Sequence, residues 1–414
     1  MTIRLGVIAD DFTGATDIAG FLVSNGLSAV QVNGVPEGPL PQADAIVVSL
    51  KSRSIPADEA VSMSLAALDA LRAAGAERIL FKYCSTFDST PAGNIGPVTD
   101  ALMAALGADL TVICPSLPVN GRTVYQGHLF VGDVLLSESG MRNHPVTPMT
   151  DPNLVRVMEA QSSGRAGVVP FAVIQQGPDA TRAALARLAE DGVRYAVLDT
   201  LTDVDLTTIG AATVDLPLTT GGSGLGAGVA RALATGTDGV QSAPWQPVEG
   251  RTVVLSGSCS VMTNAQVAAY RADAPALSVD VDRLVADPDA YRAEVLAWVL
   301  AQPAEPAPLV YATAGPDEVR RLQEAHGAAE VSEAVEALFG WLARELSAAG
   351  VRRFVVAGGE TSGSVTTALG VDGFHVGPQI APGVPWVRSL DDRTELALKS
   401  GNFGDVDFFT RAQA

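Results

Sequence analysis

Short apolar segments alternate with alanine-rich helical segments along the whole chain. In the first part of the sequence, apolar and β-branched runs predict strands at residues 5–9, 29–32, 45–50, 79–82, 110–114, 167–169, 195–198 and 217–219. Helical patterns lie between several of these strands, for example at residues 57–74, 98–106 and 180–191. Such alternation is typical of an α/β fold with a mostly parallel sheet, in which the loops that carry the chemistry follow the carboxyl ends of the strands.

The alternation stops between residues 235 and 249. This stretch is filled with Gly, Thr, Ser and Pro, which predicts a linker at residues 235–250 between domains at residues 1–234 and 251–414. Beyond it, apolar runs at residues 252–255, 309–312, 354–357 and 396–398 predict a second set of strands. The predicted fold therefore has two α/β domains, each a mostly parallel sheet flanked by helices, with the active site in the cleft between them.

Composition and charge exclude several classes of function. A formal net charge of −19 argues against nucleic acid or an anionic membrane surface as a partner, because both require clustered cations. The cysteines, Cys84, Cys114 and Cys259, are too widely spaced for a disulfide framework or a zinc motif. No apolar run approaches the roughly 18 residues of a membrane span, and a strand predicted almost at the first residue leaves no place for a signal peptide. We therefore expect a cytoplasmic protein.

Four strands of the second predicted domain each end in a loop rich in glycine or hydroxyl residues. These loops occupy residues 256–260, 313–315, 358–364 and 399–404. Parallel strands would bring the loops to one edge of the sheet, where they favour a nucleotide site over the alternative of simple packing turns. The candidate nucleotide-binding residues are Ser256, Ser258, Gly358, Gly359, Glu360, Thr361, Ser362, Gly401 and Asn402.

The third of these loops, at residues 358–364, carries the strongest indication of a phosphate. It follows a buried apolar strand and precedes a helix predicted to begin at Val365. In a strand–turn–helix arrangement several backbone N–H groups point towards one place, which suits a phosphate. Because Glu360 would repel a bare phosphate, its presence indicates that Mg²⁺ lies between the two. Glu360 is therefore the candidate metal ligand.

Asp10 and Asp11 follow the first predicted strand and precede a helix that begins near Thr13. One carboxylate in this position is expected to cap the helix, while the other binds Mg²⁺, orients a polyol or accepts a hydroxyl proton. The sequence does not assign the two roles, but Asp11 lies nearer the helix and is the better candidate for the cap. Both residues are candidate catalytic groups, and Asp88 is the next candidate for the base.

A lysine at the end of another strand is surrounded by polar residues. Lys82 is followed by Ser85, Thr86 and Asp88, a combination that suits a small ligand with a carboxylate and several hydroxyl groups. Arg122 lies in a predicted loop and is a second candidate for the carboxylate, because arginine binds carboxylates bidentately. These five residues are the candidate substrate-binding residues.

A glycine-rich stretch at residues 220–227 partly matches a dinucleotide-binding fingerprint. Gly222, Gly224 and Ala227 fit the motif, but the acidic residue expected about 20 residues later at the end of a second strand is missing. Asp238 lies in the predicted linker instead. We therefore reject NAD binding and keep this stretch as a substrate or phosphate loop.

Six stretches are long and unusual enough to compare with known families: Ile8-Ala9-Asp10-Asp11-Phe12-Thr13-Gly14-Ala15, Phe81-Lys82-Tyr83-Cys84-Ser85-Thr86-Phe87-Asp88-Ser89-Thr90, Gly121-Arg122-Thr123-Val124-Tyr125, Leu255-Ser256-Gly257-Ser258-Cys259-Ser260, Gly358-Gly359-Glu360-Thr361-Ser362-Gly363 and Lys399-Ser400-Gly401-Asn402-Phe403-Gly404. They resemble the motifs of the four-carbon acid sugar kinases, and the resemblance covers essentially the whole chain. It implies a sugar-binding N-terminal domain and a nucleotide-binding C-terminal domain. ATP would then be held at Ser258, at residues 359–362 and near Gly401.

The resemblance also implies an activity. The expected reaction is ATP-dependent phosphorylation of the 4-hydroxyl of a four-carbon sugar acid, with a 3-oxo-tetronate as the expected substrate and D-threonate or D-erythronate as alternatives. ATP and Mg²⁺ are the expected cofactors, and the expected partners are small molecules only. The oligomeric state stays open, with a homodimer among the alternatives.

Two rival functions come from other classes. A sugar-acid-binding module would also have two α/β domains and a cleft, but it would be exported, and the sequence shows no signal peptide. A metal-dependent aldolase or hydrolase could use Asp10 and Asp11, but it would not need four glycine-rich loops in a second domain. The kinase interpretation accounts for both sets of motifs.

Overall fold

The computed structural model describes residues 3–36, 38–144, 147–234 and 245–413. The chain forms two compact units, unit 1 from Met1 to Ala243 and unit 2 from Pro244 to Ala414. Most of the predicted linker, residues 235–244, lies outside the described residues. The linker and the domain bounds therefore stay predictions.

Unit 1 is built around a sheet of parallel strands in the order β2-β3-β1-β4-β11-β5-β10-β9. Helices connect most of these strands, and parallel pairing places all of the carboxyl ends at one edge. Its described strands and helices are β1 (Leu5–Ala9), α1 (Phe12–Ser24), β2 (Ala29–Asn33), β3 (Ala45–Ser49), α2 (Ala57–Ala73), β4 (Ile79–Lys82), α3 (Ile95–Leu106), β5 (Thr111–Cys114), β6 (Arg122–Tyr125), β7 (His128–Val131), β8 (Val134–Leu135), α4 (Leu154–Gln161), β9 (Arg165–Val169), α5 (Phe171–Ile174), α6 (Pro178–Glu190), β10 (Val193–Leu198), α7 (Asp203–Thr213), β11 (Leu218–Gly221) and α8 (Ser223–Ala234).

The centre of this sheet is buried on both faces. Every residue of β1, β3, β4 and β5 is buried, which explains why these strands are continuous apolar runs and not alternating ones. The core extends into the helices through side chains such as Leu68, Leu71 and Leu102. A rigid, dry sheet therefore supports the polar residues that follow the strands.

The glycine-rich stretch at residues 220–227 ends β11 and begins α8, which is buried along most of its length. Further along the same helix, a Cβ at Gly228 would lie only 2.1 Å from the carbonyl oxygen of Leu206, so glycine is needed for the close approach of α7. A Cβ at Gly224 would similarly lie 2.3 Å from the carbonyl oxygen of Ser116. The structure thus gives Gly224 and Gly228 a packing role, and a substrate or phosphate loop at residues 220–227 stays a prediction.

Unit 2 contains a sheet in the order β13-β14-β12-β15-β18-β17-β16. The first five strands are parallel, and β17 and β16 are antiparallel to their neighbours. Its described strands and helices are β12 (Arg251–Ser256), α9 (Val261–Tyr270), β13 (Ala276–Ser278), α10 (Val281–Ala286), α11 (Pro288–Ala301), β14 (Leu309–Tyr311), α12 (Pro316–His326), α13 (Ala328–Ala348), β15 (Val351–Ala357), α14 (Gly359–Ala368), β16 (Gly373–Ala381), β17 (Val384–Ser389), β18 (Glu395–Lys399) and α15 (Phe408–Arg411).

The predicted α/β fold class is confirmed in both units. The sequence did not predict the antiparallel pair β16 and β17, because Gly377 and Pro378 interrupt the pattern and the pairing is irregular after Val376. It also did not predict the small antiparallel sheet β6-β7-β8. Arg122 is therefore the first residue of a strand and does not lie in a loop.

The expectation that a helix begins at Val365 is wrong by about two turns. Gly358 has a φ of 128°, which glycine adopts readily, and α14 begins immediately after it at Gly359. Serine and threonine have modest helix propensity, so the sequence pattern alone did not predict helix here. Burial of Thr361 and Ser362 stabilises the helix despite this modest propensity. The hydroxyl of Thr366 also donates a hydrogen bond to the carbonyl oxygen of Ser362 at 2.9 Å.

Candidate functional site

Neighbouring strands of unit 1 bring charged residues together at the carboxyl edge. β1 pairs with β3 on one side and with β4 on the other. Asp10 and Asp11 follow β1, Arg53 lies in the loop after β3, and Lys82 is the last residue of β4. We call Asp10, Asp11, Arg53 and Lys82 the acidic–basic cluster.

Asp11 is the cap of α1, as the sequence suggested. Its Oδ1 accepts a hydrogen bond from the backbone N–H of Gly14 at 3.0 Å. The same oxygen accepts one from Nη2 of Arg53 at 2.6 Å, and Nζ of Lys82 lies 4.0 Å away. Among the hydrogen bonds of the described residues, none uses Oδ2 of Asp11. One carboxylate oxygen thus holds the helix while the other is available to a ligand.

Asp10 is held by Arg53 through both carboxylate oxygens. Nε of Arg53 donates to Oδ2 at 2.9 Å, and Nη2 donates to Oδ1 at 2.8 Å. Bidentate arginine–carboxylate pairs of this kind fix orientation as well as charge. The pair is largely buried, with Asp10 only 3% exposed. Asp10 is therefore an anchor for Arg53, with little freedom to rotate towards a substrate.

The loop that carries Arg53 is itself fixed by the surrounding backbone. The backbone N–H groups of Ser52 and Arg53 donate to the carbonyl oxygen of Asp10 at 2.9 and 3.1 Å. Nδ2 of buried Asn94 donates to the carbonyl oxygens of Ser52, Arg53 and Ile55 at 2.7 to 3.3 Å. The guanidinium position is therefore determined by a residue that precedes α3, far away in the sequence.

Burial and charge act in opposite directions on this pair. Burial raises the pKa of Asp10 above its usual value, while Arg53 and Lys82 act to lower it. For Arg53, burial alone would lower the pKa, but Asp10 and Asp11 raise it by more than burial lowers it. Arg53 is therefore a permanent cation that neutralises one of the two neighbouring carboxylates.

Arg53 was not predicted as a site residue. The available signal was its position four residues after the fully buried strand β3, which pairs directly with β1.

Asp17 was also not predicted as a site residue, although it lies on α1 about one and a half turns beyond Asp11. Oδ2 of Asp17 accepts a hydrogen bond from the hydroxyl of Ser223 at 2.5 Å, and burial raises the pKa of its carboxyl. Its Oδ1 is buried without a hydrogen-bond partner among the described residues.

The predicted substrate residues after Lys82 form a tight polar turn. The hydroxyl of Thr86 donates to Oδ1 of Asp88 at 2.7 Å and lies 2.7 Å from Sγ of Cys84. Phe87 has a φ of 51°, an unusual value for a residue other than glycine, and its ring is fully buried. Ser85 is half-buried in the same turn. The strain at Phe87 is held in place by burial and orients the polar groups on either side of it.

Arg122 is the first residue of β6 and is partly buried. Its Nη1 donates to the carbonyl oxygen of Asn120, and its Nε is buried without a hydrogen-bond partner among the described residues. That Arg122 and Lys82 together bind the substrate carboxylate stays a prediction.

In unit 2, the four glycine- and hydroxyl-rich segments follow adjacent strands, in the order β14, β12, β15 and β18. Their backbones and side chains are joined to each other. The hydroxyls of Ser256 and Thr313 lie 2.7 Å apart, the N–H of Ser258 donates to the carbonyl of Ala357 at 3.1 Å, and the N–H of Gly358 donates to the carbonyl of Lys399 at 2.8 Å. The predicted convergence of these segments at one edge is confirmed.

The first turn of α14 faces open space at this edge. No side chain caps the helix, and a Cβ at Gly359 would have no atom within 4 Å. The first N–H groups of a helix have no partner inside the helix, so they are free to bind an anion. Thr361 and Ser362 are buried beneath them, and Oγ of Ser362 has no hydrogen-bond partner among the described residues. The geometry suits a phosphate at the start of α14.

The turn after β18 closes the other side of this edge. A Cβ at Gly401 would lie 2.8 Å from Oγ of Ser258, so a side chain there would displace the β12 loop. The carbonyl oxygen of Gly401 accepts hydrogen bonds from the hydroxyls of Ser260 and Thr263 at 2.6 and 2.8 Å. Asn402 follows and is exposed. Among the predicted nucleotide residues, Ser258 thus lies beside both Gly358 and Gly401.

A magnesium site in unit 2 would need ligands from outside the protein. The described residues contain no group of three or more His, Cys, Asp or Glu side chains that could hold a metal ion. Glu360 is exposed in the first turn of α14, beside the open space at Gly359. One carboxylate with phosphate oxygens and water is a normal shell for Mg²⁺. The residues therefore fit Mg²⁺ that arrives with a nucleotide.

Two family models match the chain and together cover most of it. Residues 5–229 match the sugar-binding N-terminal domain, and residues 253–409 match the nucleotide-binding C-terminal domain. Among curated proteins, the chain is 60% identical to the 3-oxo-tetronate kinase of Brucella melitensis, over 99% of this chain and 95% of that protein. It is 58% identical to the 3-oxo-tetronate kinase of Salmonella typhimurium, over 99% of both.

Solved structures show the same fold. A crystal structure of a protein from Salmonella typhimurium LT2 superposes with a TM-score of 0.95 at 58% identity and covers 99% of this chain and 98% of that one. A crystal structure of a Haemophilus influenzae protein gives a TM-score of 0.90 at 53% identity and covers 99% of both chains. Within the described part of the chain, no helix is long and apolar enough to cross a membrane.

We predict that Gly359→Val weakens nucleotide binding without loss of the fold. The new side chain would occupy the open space at the start of α14 and keep a phosphate from the backbone N–H groups. Loss of one hydrogen bond to a charged group costs roughly 1.5–3 kcal/mol, which corresponds to a roughly ten- to hundredfold rise in Kd. Calorimetric titration with Mg·ADP measures this change.

Gly140→Val is the matched control. Gly140 is exposed in unit 1, and a Cβ there would also have no atom within 4 Å. This variant should bind Mg·ADP like the unaltered protein. Unchanged binding in Gly359→Val, with the melting temperature preserved, would show that the start of α14 is a packing turn.

Proposed function

Because the chain belongs to the four-carbon acid sugar kinase family, we propose that it transfers the γ-phosphoryl group of ATP to the 4-hydroxyl of a 3-oxo-tetronate. The main support is the identity of 58–60% over nearly the full length to relatives named 3-oxo-tetronate kinase. The polar edges of the two units supply the groups that such a reaction requires. Sugar-acid binding is assigned to unit 1 and ATP binding to unit 2.

Charge decides which part of the sugar acid meets the acidic–basic cluster. Among the described residues, Asp10, Asp11 and nearby Asp17 face the cations Arg53 and Lys82, and Arg53 is already paired with Asp10. A substrate carboxylate would be repelled by this excess of acid, whereas hydroxyl groups can donate to the free carboxylate oxygens. The cluster is therefore proposed to bind the hydroxyl end of the substrate.

The carboxylate of the substrate needs a cation elsewhere. Arg122 has a buried Nε without a protein partner among the described residues, which leaves a guanidinium N–H for an anion. Lys82 belongs to the acidic–basic cluster, and Ser85, Thr86 and Asp88 lie in the turn that follows it. In this arrangement Arg122 binds the carboxylate, and the residues after Lys82 bind hydroxyl groups between the two ends.

Asp11 is the proposed catalytic residue. Its Oδ2 is the carboxylate oxygen of the pair that protein groups leave open, so it can accept a hydrogen bond from the 4-hydroxyl and aim that oxygen at the phosphorus. In a loose phosphoryl-transfer transition state the proton leaves late, so a weakly basic carboxylate at the right distance is sufficient. Asp10 acts through Arg53, which fixes Oδ1 of Asp11 and thereby the orientation of the carboxylate.

In unit 2, the proposed ATP site uses the backbone at the start of α14 together with Ser256, Ser258, Gly401 and Asn402. Mg²⁺, held by Glu360 and the phosphate oxygens, would neutralise charge that develops on the phosphoryl group. Thr361 and Ser362 support the turn from below. Catalysis then consists mainly of positioning and charge neutralisation.

The direct test of this function is an assay of ADP formation with purified protein, ATP and a panel of four-carbon acids. We expect the highest kcat/KM with a 3-oxo-tetronate, measured against D-threonate, D-erythronate and a neutral tetritol. Faster turnover of D-threonate or D-erythronate would replace the substrate assignment. No ADP formation with any acid of the panel would contradict the kinase.

We predict different consequences for the two aspartates when each becomes asparagine. Asparagine caps helices as well as aspartate does, so Asp11→Asn should keep its melting temperature while kcat falls roughly 10²- to 10⁴-fold, the range for a positioned base. Asp10→Asn leaves the buried Arg53 charge with one acceptor fewer. An unsatisfied charged group costs about 1–3 kcal/mol or more, and the melting temperature should fall by roughly 2–4 °C per kcal/mol.

Steady-state kinetics and thermal unfolding of both variants measure these effects. Asp88→Asn serves as the comparison, because Asp88 is the next carboxylate in the same edge. A near-normal kcat in Asp11→Asn together with a large loss in Asp88→Asn would move the base to Asp88.

A further inference from the structure

Lys399 is a fully buried lysine directly beneath the Gly401 turn. It is the last residue of β18 and has an exposure of 0%. Its Nζ donates to Oγ1 of Thr263 at 3.0 Å, to the carbonyl oxygen of Ser400 at 3.1 Å and to that of Gly401 at 2.9 Å. All three N–H groups are used, and all three acceptors are uncharged.

No carboxylate of the described residues forms an ion pair with this ammonium group. On the same strand, Glu395 is paired with Arg353 and Arg388. On β15, Arg352 donates to backbone carbonyl oxygens, and Glu360 of α14 is exposed. Helix α9, which carries Thr263, contains no charged residue.

An unpaired buried cation is unfavourable for folding. Burial lowers the pKa of Lys399 to about 8, below its ordinary value of 10.5. Between these two values the unfolded chain binds more protons than the folded chain, so this residue makes the protein more stable as the pH rises through that window and costs stability below it. A buried charge usually has a partner of opposite sign. For Lys399, the described residues supply no such partner.

The choice of lysine is also unusual in this chain. Only three of its 27 lysine and arginine residues are lysines, Lys51, Lys82 and Lys399. Two of the three are buried at the carboxyl ends of strands, Lys82 in β4 and Lys399 in β18. A lysine ammonium is compact and directs three donors tetrahedrally, whereas a guanidinium is planar and larger. The site at Lys399 therefore requires a small cation with three inward hydrogen bonds.

Building on the proposed kinase function, we propose that Lys399 is a positioning residue of the nucleotide site. It holds the Gly401 turn in the conformation that binds the nucleotide. The nucleotide phosphates supply the negative charge that Lys399 lacks among its neighbours. The carbonyl oxygen of Gly401 is fixed from inside by Lys399, Ser260 and Thr263. With the carbonyl held inward, the positive charge beneath the turn favours an anion on its outer side. Lys399 does not touch the phosphate, because its three donors are already engaged.

A purely structural lysine would behave differently. Lys399→Met keeps a similar length without the charge, and Ser260 and Thr263 still donate to the Gly401 carbonyl. If Lys399 served only the fold, this variant would bind nucleotide normally. Under the proposal, its stability is at least that of the unaltered protein near neutral pH while its nucleotide affinity is lower.

The test is the Kd of Mg·ADP, measured by calorimetry at pH 7.5 and pH 9.5 at constant free Mg²⁺. Cys259 is an exposed thiol beside Ser258, so all proteins carry Cys259→Ser to remove this thiol from the loop. The proteins compared are this parent, Lys399→Met and, as the control for loss of one positive charge, Lys51→Met, whose lysine is exposed in unit 1. The melting temperature of each is recorded.

We expect the parent and Lys51→Met to lose affinity by roughly twentyfold between the two pH values, because the apparent affinity follows the protonated fraction of Lys399. Lys399→Met should bind Mg·ADP weakly at both pH values, with a Kd close to that of the parent at pH 9.5.

The inference is overturned if the Kd of the parent does not change with pH, or if the parent and Lys399→Met have the same Kd at pH 7.5. If Lys399→Met does not fold, the pH dependence of the parent decides alone. No binding by the parent at pH 7.5 overturns the proposed function, and with it this inference.

Discussion

Backbone pairing of parallel strands is the constraint on which both candidate sites depend. In unit 1, Ala9 of β1 is in register with Ser49 of β3 and with Lys82 of β4, so the residues that follow these strands begin at the same level. In unit 2, Ser256, Ala357 and Lys399 are in register across β12, β15 and β18. Residues more than 100 positions apart in the sequence therefore meet at one edge without any contribution from the loops. The loops only add the polar groups that this alignment brings together.

The carboxyl edges of the two sheets differ in the sign of the charge that they bury. At the edge of unit 1, Asp10 and Arg53 neutralise each other through two hydrogen bonds, and the carboxyl groups of Asp11 and Asp17 outnumber the remaining cation, Lys82. At the edge of unit 2, Lys399 carries a positive charge for which the described residues offer no carboxylate. An acidic edge suits hydroxyl groups that must give up a proton, and a basic edge suits phosphate. This asymmetry is the physical basis for placing the acceptor in unit 1 and ATP in unit 2.

Much of this arrangement could be predicted from sequence. Buried parallel strands are continuous apolar runs, so their positions, the α/β fold class and the role of Asp11 as a helix cap followed from pattern and position. The role of Arg53 could not be predicted, because it depends on Asn94, which fixes the arginine loop through tertiary hydrogen bonds. The start of α14 was missed because burial, and not helix propensity, makes Thr361 helical. The strand that contains Arg122 was missed since its pairing partners are antiparallel and short.

We propose that the nucleotide binds at the polar edge of unit 2 and leaves the acidic–basic cluster free for the sugar acid. A crystal structure of the protein with Mg·ADP tests it most directly. We expect phosphate density within hydrogen-bond distance of the backbone at Gly359 and of the Gly401 turn, with Mg²⁺ between the phosphates and Glu360, and no nucleotide near Asp11. Phosphate density beside Asp11 and Lys82, with the start of α14 empty, would contradict it.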